Sequence, residues 1–153
     1  MKVFEIMTQG VVADTPEDTL AEAAAKMYEQ QTGSLLVMSE GRLIGIFTER
    51  DLLRAVARGR DPKLVQLKDV IAGGIVTIAP HAELREAAQL MASRWIRHLP
   101  VVEGERVVGV ISQRDLAGIF ARAAGEPVPE GQLGEEELVR GRRLIRIEAG
   151  DLD

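Results

Sequence analysis

Thr48-Glu49-Arg50-Asp51 and Ser112-Gln113-Arg114-Asp115 each set a hydroxyl, a guanidinium and a carboxylate side by side along a short stretch of chain. An Asp three residues after a Ser or Thr at a helix start projects its carboxylate beside the hydroxyl and near the free N–H groups of the first turn. A carboxylate held there accepts hydrogen bonds from both vicinal hydroxyls of a ribose, while the N–H groups, the hydroxyl and the Arg receive phosphate oxygens. That chemistry fits a nucleotide. The same Ser/Thr-x-x-Asp pattern also fits a capping box, in which the two side chains only satisfy backbone donors, and the residues alone leave both readings open. Other chemistry starts with few candidates: there is no cysteine, which excludes disulfides, thiolate metal sites and cysteine nucleophiles, and the histidines are His81 and His98. Carboxylates alone remain able to hold Mg²⁺.

The two stretches belong to a duplication. Gly45 falls on Gly109, an offset of 109 − 45 = 64, and that offset runs through the chain without a gap. It carries Gly10 onto Gly74, Pro16 onto Pro80, Leu20 onto Leu84, Met27 onto Met91, Leu35 onto Leu99 and Asp51 onto Asp115. The expected organisation is a first repeat over 2–64, a second over 65–125, and a linker and tail over 126–153.

Each repeat reads as strand, helix, strand, strand, helix. Val11-Val12-Ala13 and Ile75-Val76-Thr77-Ile78 suggest short strands, and Thr15-Pro16-Glu17-Asp18 signals a helix start with Thr15 as its cap. Leu20, Ala23, Ala24, Met27 and Tyr28 recur at helical spacing, matched by Leu84, Ala87, Ala88, Met91 and Trp95, and form core stripes. Tyr28 and Trp95 are expected under the sheet or at a subunit interface rather than stacked on a base. Leu35 to Phe47 and Leu99 to Ile111 give pairs of nearly continuous apolar strands, so both faces of each sheet should be covered. A second helix follows each, with Leu52, Leu53 and Val56 or Leu116, Ile119 and Phe120 as its stripe and Gly59 or Gly125 at its end.

Aromatics are only 3% of the 153 residues, so an aliphatic core must do the filling. No apolar run approaches the length that spans a bilayer and no signal-like segment precedes the first repeat, so a cytoplasmic protein without membrane contact is expected. The net charge of −5 argues against broad nucleic-acid binding.

The repeated unit, Leu99-Pro100-Val101-Val102 before a turn, and Gly-x-[aliphatic or aromatic]-[Ser/Thr]-x-x-Asp-Leu opening the last helix resemble the cystathionine β-synthase (CBS) domain. Two tandem copies resemble a CBS pair, or Bateman module, over residues 2 to about 124. The resemblance implies an α/β (α+β) fold of two β-α-β-β-α repeats packed through their sheets about a pseudo-twofold axis. It also implies adenosine-containing ligands, AMP, ADP, ATP or S-adenosylmethionine, in clefts between the repeats, with the ribose-binding Asp from one copy and the base pocket from the other. Site one would use Ser112, Arg114 and Asp115 with Thr15, Gly33, Ser34 and Leu35. Site two would use Thr48, Arg50 and Asp51 with Ala79, Arg97, His98 and Leu99. Arg97 and His98 stand where the first copy has Gly33 and Ser34, so site two offers phosphates more positive charge. Leu36 replaces the Pro of the second copy and changes the shape of site one's base pocket. His81, after Pro80, is expected to be exposed and idle.

Past the repeats, Glu126 to Gly131 reads as a stiff linker, and Glu135-Glu136-Glu137 precedes Arg140, Arg142 and Arg143. These arginines suit a partner, a nucleic acid or a neighbouring subunit's ligand, or simply a frayed tail. The expected protein is a stand-alone regulatory module, not an enzyme, that forms a homodimer, binds an adenine nucleotide and signals to an unknown protein partner. The alternatives are a structural dimerisation module with vestigial sites and a nucleic-acid binder acting through the tail.

Overall fold

The computed structural model describes residues 1–71 and 73–124. Gly125, the 126–153 linker and the tail arginines lie outside the described residues. Within them the fold is α+β, with four α-helices and two small sheets. The chain packs as two units: the first is Gly10–Val76 with Gly104–Val107, and the second is Met1–Gln9, Thr77–Glu103 and Val108–Asp153, described as far as Ala124.

In the first unit, β1 (Ala13–Asp14), α1 (Leu20–Gln30), β2 (Ser34–Ser39), β3 (Arg42–Thr48) and α2 (Glu49–Ala57) follow one another. The sheet runs β1-β2-β3, with β1 parallel and β3 antiparallel to β2. The central strand is buried from Ser34 to Val37, as its unbroken apolar run requires, whereas β3 at the sheet edge mixes buried and exposed positions. The expectation of two covered faces therefore holds for the central strand and not for the edge. Leu20, Ala23 and Met27 from α1 meet Leu35, Val37, Phe47, Ala55 and Leu67 in one core, with Leu52 against it.

The start of α1 lies later than the sequence suggests. Thr19 is its N-cap, accepting from Glu22 N at 3.2 Å, while the Glu22 carboxylate accepts from Thr19 N at 2.9 Å. Thr15 instead donates N–H and hydroxyl to Asp18 at 2.8 and 3.1 Å, closing a turn of its own. That turn is fixed from outside: Lys68 N donates to Pro16 O and Leu67 N to Asp18 O. Thr-x-x-Glu completes a capping box at Thr19, and the Pro16 segment becomes the bracket on which a 3-10 turn, Leu67–Asp69, is held.

In the second unit, α3 (Leu84–Arg94), β4 (His98–Glu103), β5 (Arg106–Ser112) and α4 (Gln113–Ala123) repeat the pattern, and β4 pairs with β5. The expected first strand is reduced to one parallel bridge, Ile78 to Val101, with Ile78 N donating to Pro100 O and Val102 N to Ile78 O. The segment Val3–Glu5 forms a 3-10 turn tied by Val3 N to Ala82 O and Phe4 N to Pro80 O.

Each repeat's lead-in thus packs on the other repeat's body. Ile71 lies on Gly45, where an added Cβ would come 2.8 Å from its Cδ1. Its counterpart Met7 lies on Gly109, where a Cβ would come 2.8 Å from both Met7 Sδ and Thr8 O. The glycines of the repeated stretch are required by that close approach. The duplication and the packing are cut at different points of the chain.

Tyr28 and Trp95 depart from the expected stripes. They are 72% and 81% exposed. Trp95 follows α3 in the left-handed conformation, φ +54°, which rotates it off the helical register. Gly59 ends α2 at φ +73°, as its position suggests.

Candidate functional site

In the second unit the chain passes from β5 into α4 through Ser112. Ser112 N and Oγ both donate to Asp115 Oδ2 at 2.7 Å, and Asp115 N donates back to Ser112 Oγ at 3.2 Å. This is a complete capping box, so the capping reading of the motif is realised. It does not use up the carboxylate. Asp115 is 7% exposed, yet Oδ1 makes no hydrogen bond or ion pair among the described residues and is not among the fully buried atoms.

The same unit carries Arg97 just before β4 and Arg114 on the first turn of α4. Gln113 N donates to Arg97 O at 2.8 Å, which fixes the entry to β4 against the start of α4. His98 opens β4 partly buried, and Leu99 after it is fully buried. Burial pushes the His98 imidazole down to about 4, and the charges of Arg97 and Arg114 push it the same way. His98 is therefore neutral at pH 7, and the charges of Arg97 and Arg114 reinforce that state. The resemblance assigns Arg97 and His98 to one site and Arg114 to the other; within this unit the charges of both arginines reach His98. Ala79 follows Ile78 out of the bridge to Val101.

The first unit offers the same frame with different lining. Thr48 N and Oγ1 donate to Asp51 Oδ2 at 2.9 and 3.0 Å. Ser34 pairs with Thr48 and Leu35 with Phe47, and Glu49 N donates to Gly33 O at 3.1 Å, so Gly33, Ser34 and Leu35 lie alongside the motif. Thr15 does not join them. Asp14 pairs with Val37, so Thr15 leaves the sheet beyond Val37 while Gly33 enters it before Leu35. Arg50 is exposed on the first turn of α2. A cleft of about 130 Å³ beside α2 is lined by Asp51, Arg54, Ala55, Arg58, Arg60, Asp69 and Val70. Sites for drug-sized ligands enclose roughly 300–1,000 Å³, so this cleft alone does not hold a nucleotide.

Two ion pairs escaped the sequence reading. Arg54 Nη1 lies 3.2 Å from Asp51 Oδ1. Lys26 binds the buried Asp14 and also donates to Ala13 O at 3.1 Å, while Asp14 Oδ2 has no hydrogen-bond partner among the described residues. The hydrogen bond to Asp14 raises the Lys26 ammonium above its ordinary value. Comparing the copies exposes both, since the same positions of the second repeat carry Gly118, Ile78 and Leu90. Among the described residues no group of three or more His, Cys, Asp or Glu is placed to hold a metal ion, and no helix is long and apolar enough to cross a membrane.

An α-β-β-α unit occurring twice, preceded by a short strand in the first copy and a single bridge in the second, with a hydroxyl–carboxylate motif at the start of each last helix, is the arrangement of a CBS pair. The chain belongs to the CBS domain family, whose model matches residues 3–58 and again 67–122. It is 37% identical over 116 residues to the CBS domain-containing protein YhcV of Bacillus subtilis, covering 75% of this chain and 82% of that one. The solved CBS domain structure of NE2398 is 31% identical with a TM-score of 0.71, over 74% of this chain and 89% of that one. The CBS domain pair of protein MJ0100, solved with 5′-methylthioadenosine and S-adenosylmethionine, shares the fold at a TM-score of 0.75 over 80% of this chain and 98% of that one, with 22% identity.

Proposed function

We propose that this chain is a regulatory module rather than an enzyme, binding an adenosine-containing ligand through the Asp115 and Asp51 motifs and passing the bound state to a protein partner. The observation that carries this reading is Asp115: a nearly buried carboxylate, held by Ser112 through one oxygen and unengaged at the other, in a unit that also presents Arg97, His98 and Arg114. Its chemistry matches a ribose diol followed by phosphate. AMP, ADP and ATP suit the arginines of this unit, and S-adenosylmethionine, held by the CBS pair of MJ0100, meets the same carboxylate without using them. In this reading ligand binding shifts a conformational equilibrium of the chain.

Homodimer formation belongs to the same reading. Leu53 and Val56 on α2 and Phe120 on α4 are 69%, 54% and 56% exposed, which leaves apolar helix faces for a second copy. The nucleic-acid alternative rests on the tail arginines and has no support among the described residues.

Equilibrium dialysis of the purified chain, stripped of bound nucleotide, against labelled AMP, ADP, ATP and S-adenosylmethionine tests the proposal. Saturable retention of at least one ligand supports it. Retention of none leaves Asp51 and Asp115 as helix caps and the chain as a structural module.

A further inference from the structure

Both oxygens of Asp51 are engaged inside the chain. Oδ2 accepts from Thr48 N and Oγ1, and Oδ1 faces Arg54 Nη1 at 3.2 Å, three residues further along α2. Arg54 also lines the cleft beside Asp51 together with Arg58 and Arg60. In the second repeat the offset of 118 − 54 = 64 puts Gly118 where Arg54 stands. Asp115 holds Ser112 in the same way as Asp51 holds Thr48, but no guanidinium meets its Oδ1.

We propose that Arg54 is a built-in competitor for ribose at Asp51, so that the two carboxylates are unequal and Asp115 is the primary ribose acceptor. This rests on the nucleotide reading given above. A ribose diol needs free lone pairs on the carboxylate, and at Asp51 it must first displace a cation that also cancels the local negative charge. The competitor is reversible. The Arg54 and Asp51 side chains are 49% and 19% exposed, and an exposed ion pair of that kind opposes an incoming ligand by up to about fivefold. Arg54 thus lowers occupancy of the Asp51 site at limiting ligand without abolishing it. A chain with one carboxylate open and one latched fills its two sites in sequence as ligand concentration rises.

The test is calorimetric titration of the full chain with AMP and, separately, S-adenosylmethionine, whose lack of phosphate separates competition for ribose from any contact between Arg54 and phosphate. Asp51→Ala and Asp115→Ala each leave one site, and each is combined with Arg54→Ala, a truncation of a half-exposed side chain. Asp115→Ala is expected to remove the tighter site. In that background Arg54→Ala tightens the remaining site by up to about fivefold for both ligands, and in the Asp51→Ala background it changes nothing. An unchanged or weakened remaining site, or loss of the tighter site on Asp51→Ala, overturns the role of Arg54 while nucleotide binding stands. Absence of binding by every chain with both ligands overturns nucleotide binding and this inference with it.

Discussion

Ile71 Cδ1 lies where it would stand 2.8 Å from a Cβ on Gly45, and the corresponding contact in the second unit is with Met7 and the Thr8 backbone at Gly109. The neighbours differ in how far they can yield. At Gly45 only Ile71 side-chain atoms stand in the way: Cδ1 can rotate off, while Cβ, at 3.0 Å, moves only with its own backbone. At Gly109 the obstacle includes the Thr8 carbonyl, pinned by Thr8 N to Val110 O at 2.9 Å and Val110 N to Thr8 O at 3.0 Å. Gly109→Ala is therefore expected to destabilise the chain by about 1–3 kcal/mol, the range for overpacking a filled site. Gly45→Ala should cost less and be partly rescued by Ile71→Ala. Equal losses at the two glycines in chemical denaturation would contradict the difference drawn between them.

Asp14 and Lys26 replace the apolar pair Ile78 and Leu90 of the second repeat. Lys26→Leu alone leaves the buried Asp14 uncompensated and should cost about 1–3 kcal/mol, below the fully buried range because Lys26 is nearly half exposed. Asp14→Ile with Lys26→Leu copies the second repeat and should be neutral or stabilising. A double variant less stable than the single one in urea unfolding would show that the pair contributes more than mutual compensation.

His98 makes stability depend on pH. Its folded value, about 4, lies below the ordinary 6.5, so between these values the unfolded chain binds more protons than the folded one. Stability is then fully present above pH 6.5 and is lost as pH falls toward 4, by up to about 3 kcal/mol. Arg97 and Arg114 are the charges that act on it. His98→Gln should flatten the melting temperature over pH 4–6.5, and an unaltered profile in the variant would assign the acid sensitivity to other groups.

Removal of a capping carboxylate affects folding as well as binding. Asp115→Ala withdraws the acceptor of Ser112 N and Oγ at the start of α4 and should cost about 1–2 kcal/mol. Asp51→Ala also releases Arg54, which is exposed, and should cost no more. Thermal unfolding of both variants without ligand supplies the baseline for every binding comparison.

Much of this architecture is legible in the sequence because duplication shows each element twice. The buried stripes Leu20, Ala23, Met27 and Leu84, Ala87, Met91 follow from helical spacing, and β2 follows from its unbroken apolar run. The start of α1 is not legible from Thr15-Pro16, because hydrogen bonds from Leu67 and Lys68 capture that turn and a second Thr-x-x-Glu lies next to it. Trp95 fits the period but is the residue that ends α3 in the left-handed conformation, and Tyr28, in the last turn of α1, is exposed as well. The lead-in exchange that seats Ile71 on Gly45 is a tertiary relation that no local pattern encodes. Within the site, the Ser112–Asp115 unit is visible as a motif, whereas the reach of the Arg97 and Arg114 charges to His98 depends on how β4 meets α4.

Thermal unfolding of the stripped chain with AMP, ADP, ATP and S-adenosylmethionine in turn, repeated on Asp115→Asn, tests nucleotide binding most directly. A ligand present at about 100 times its dissociation constant adds roughly 2.7 kcal/mol, and for a chain of this size that raises the melting temperature by about 5–10 °C. Asp115→Asn should weaken binding by about 1.5–3 kcal/mol and remove most of that shift. Folded protein that shows no shift with any of the four ligands, or the same shift with Asp115→Asn, would contradict the assignment of Asp115 as the ribose acceptor.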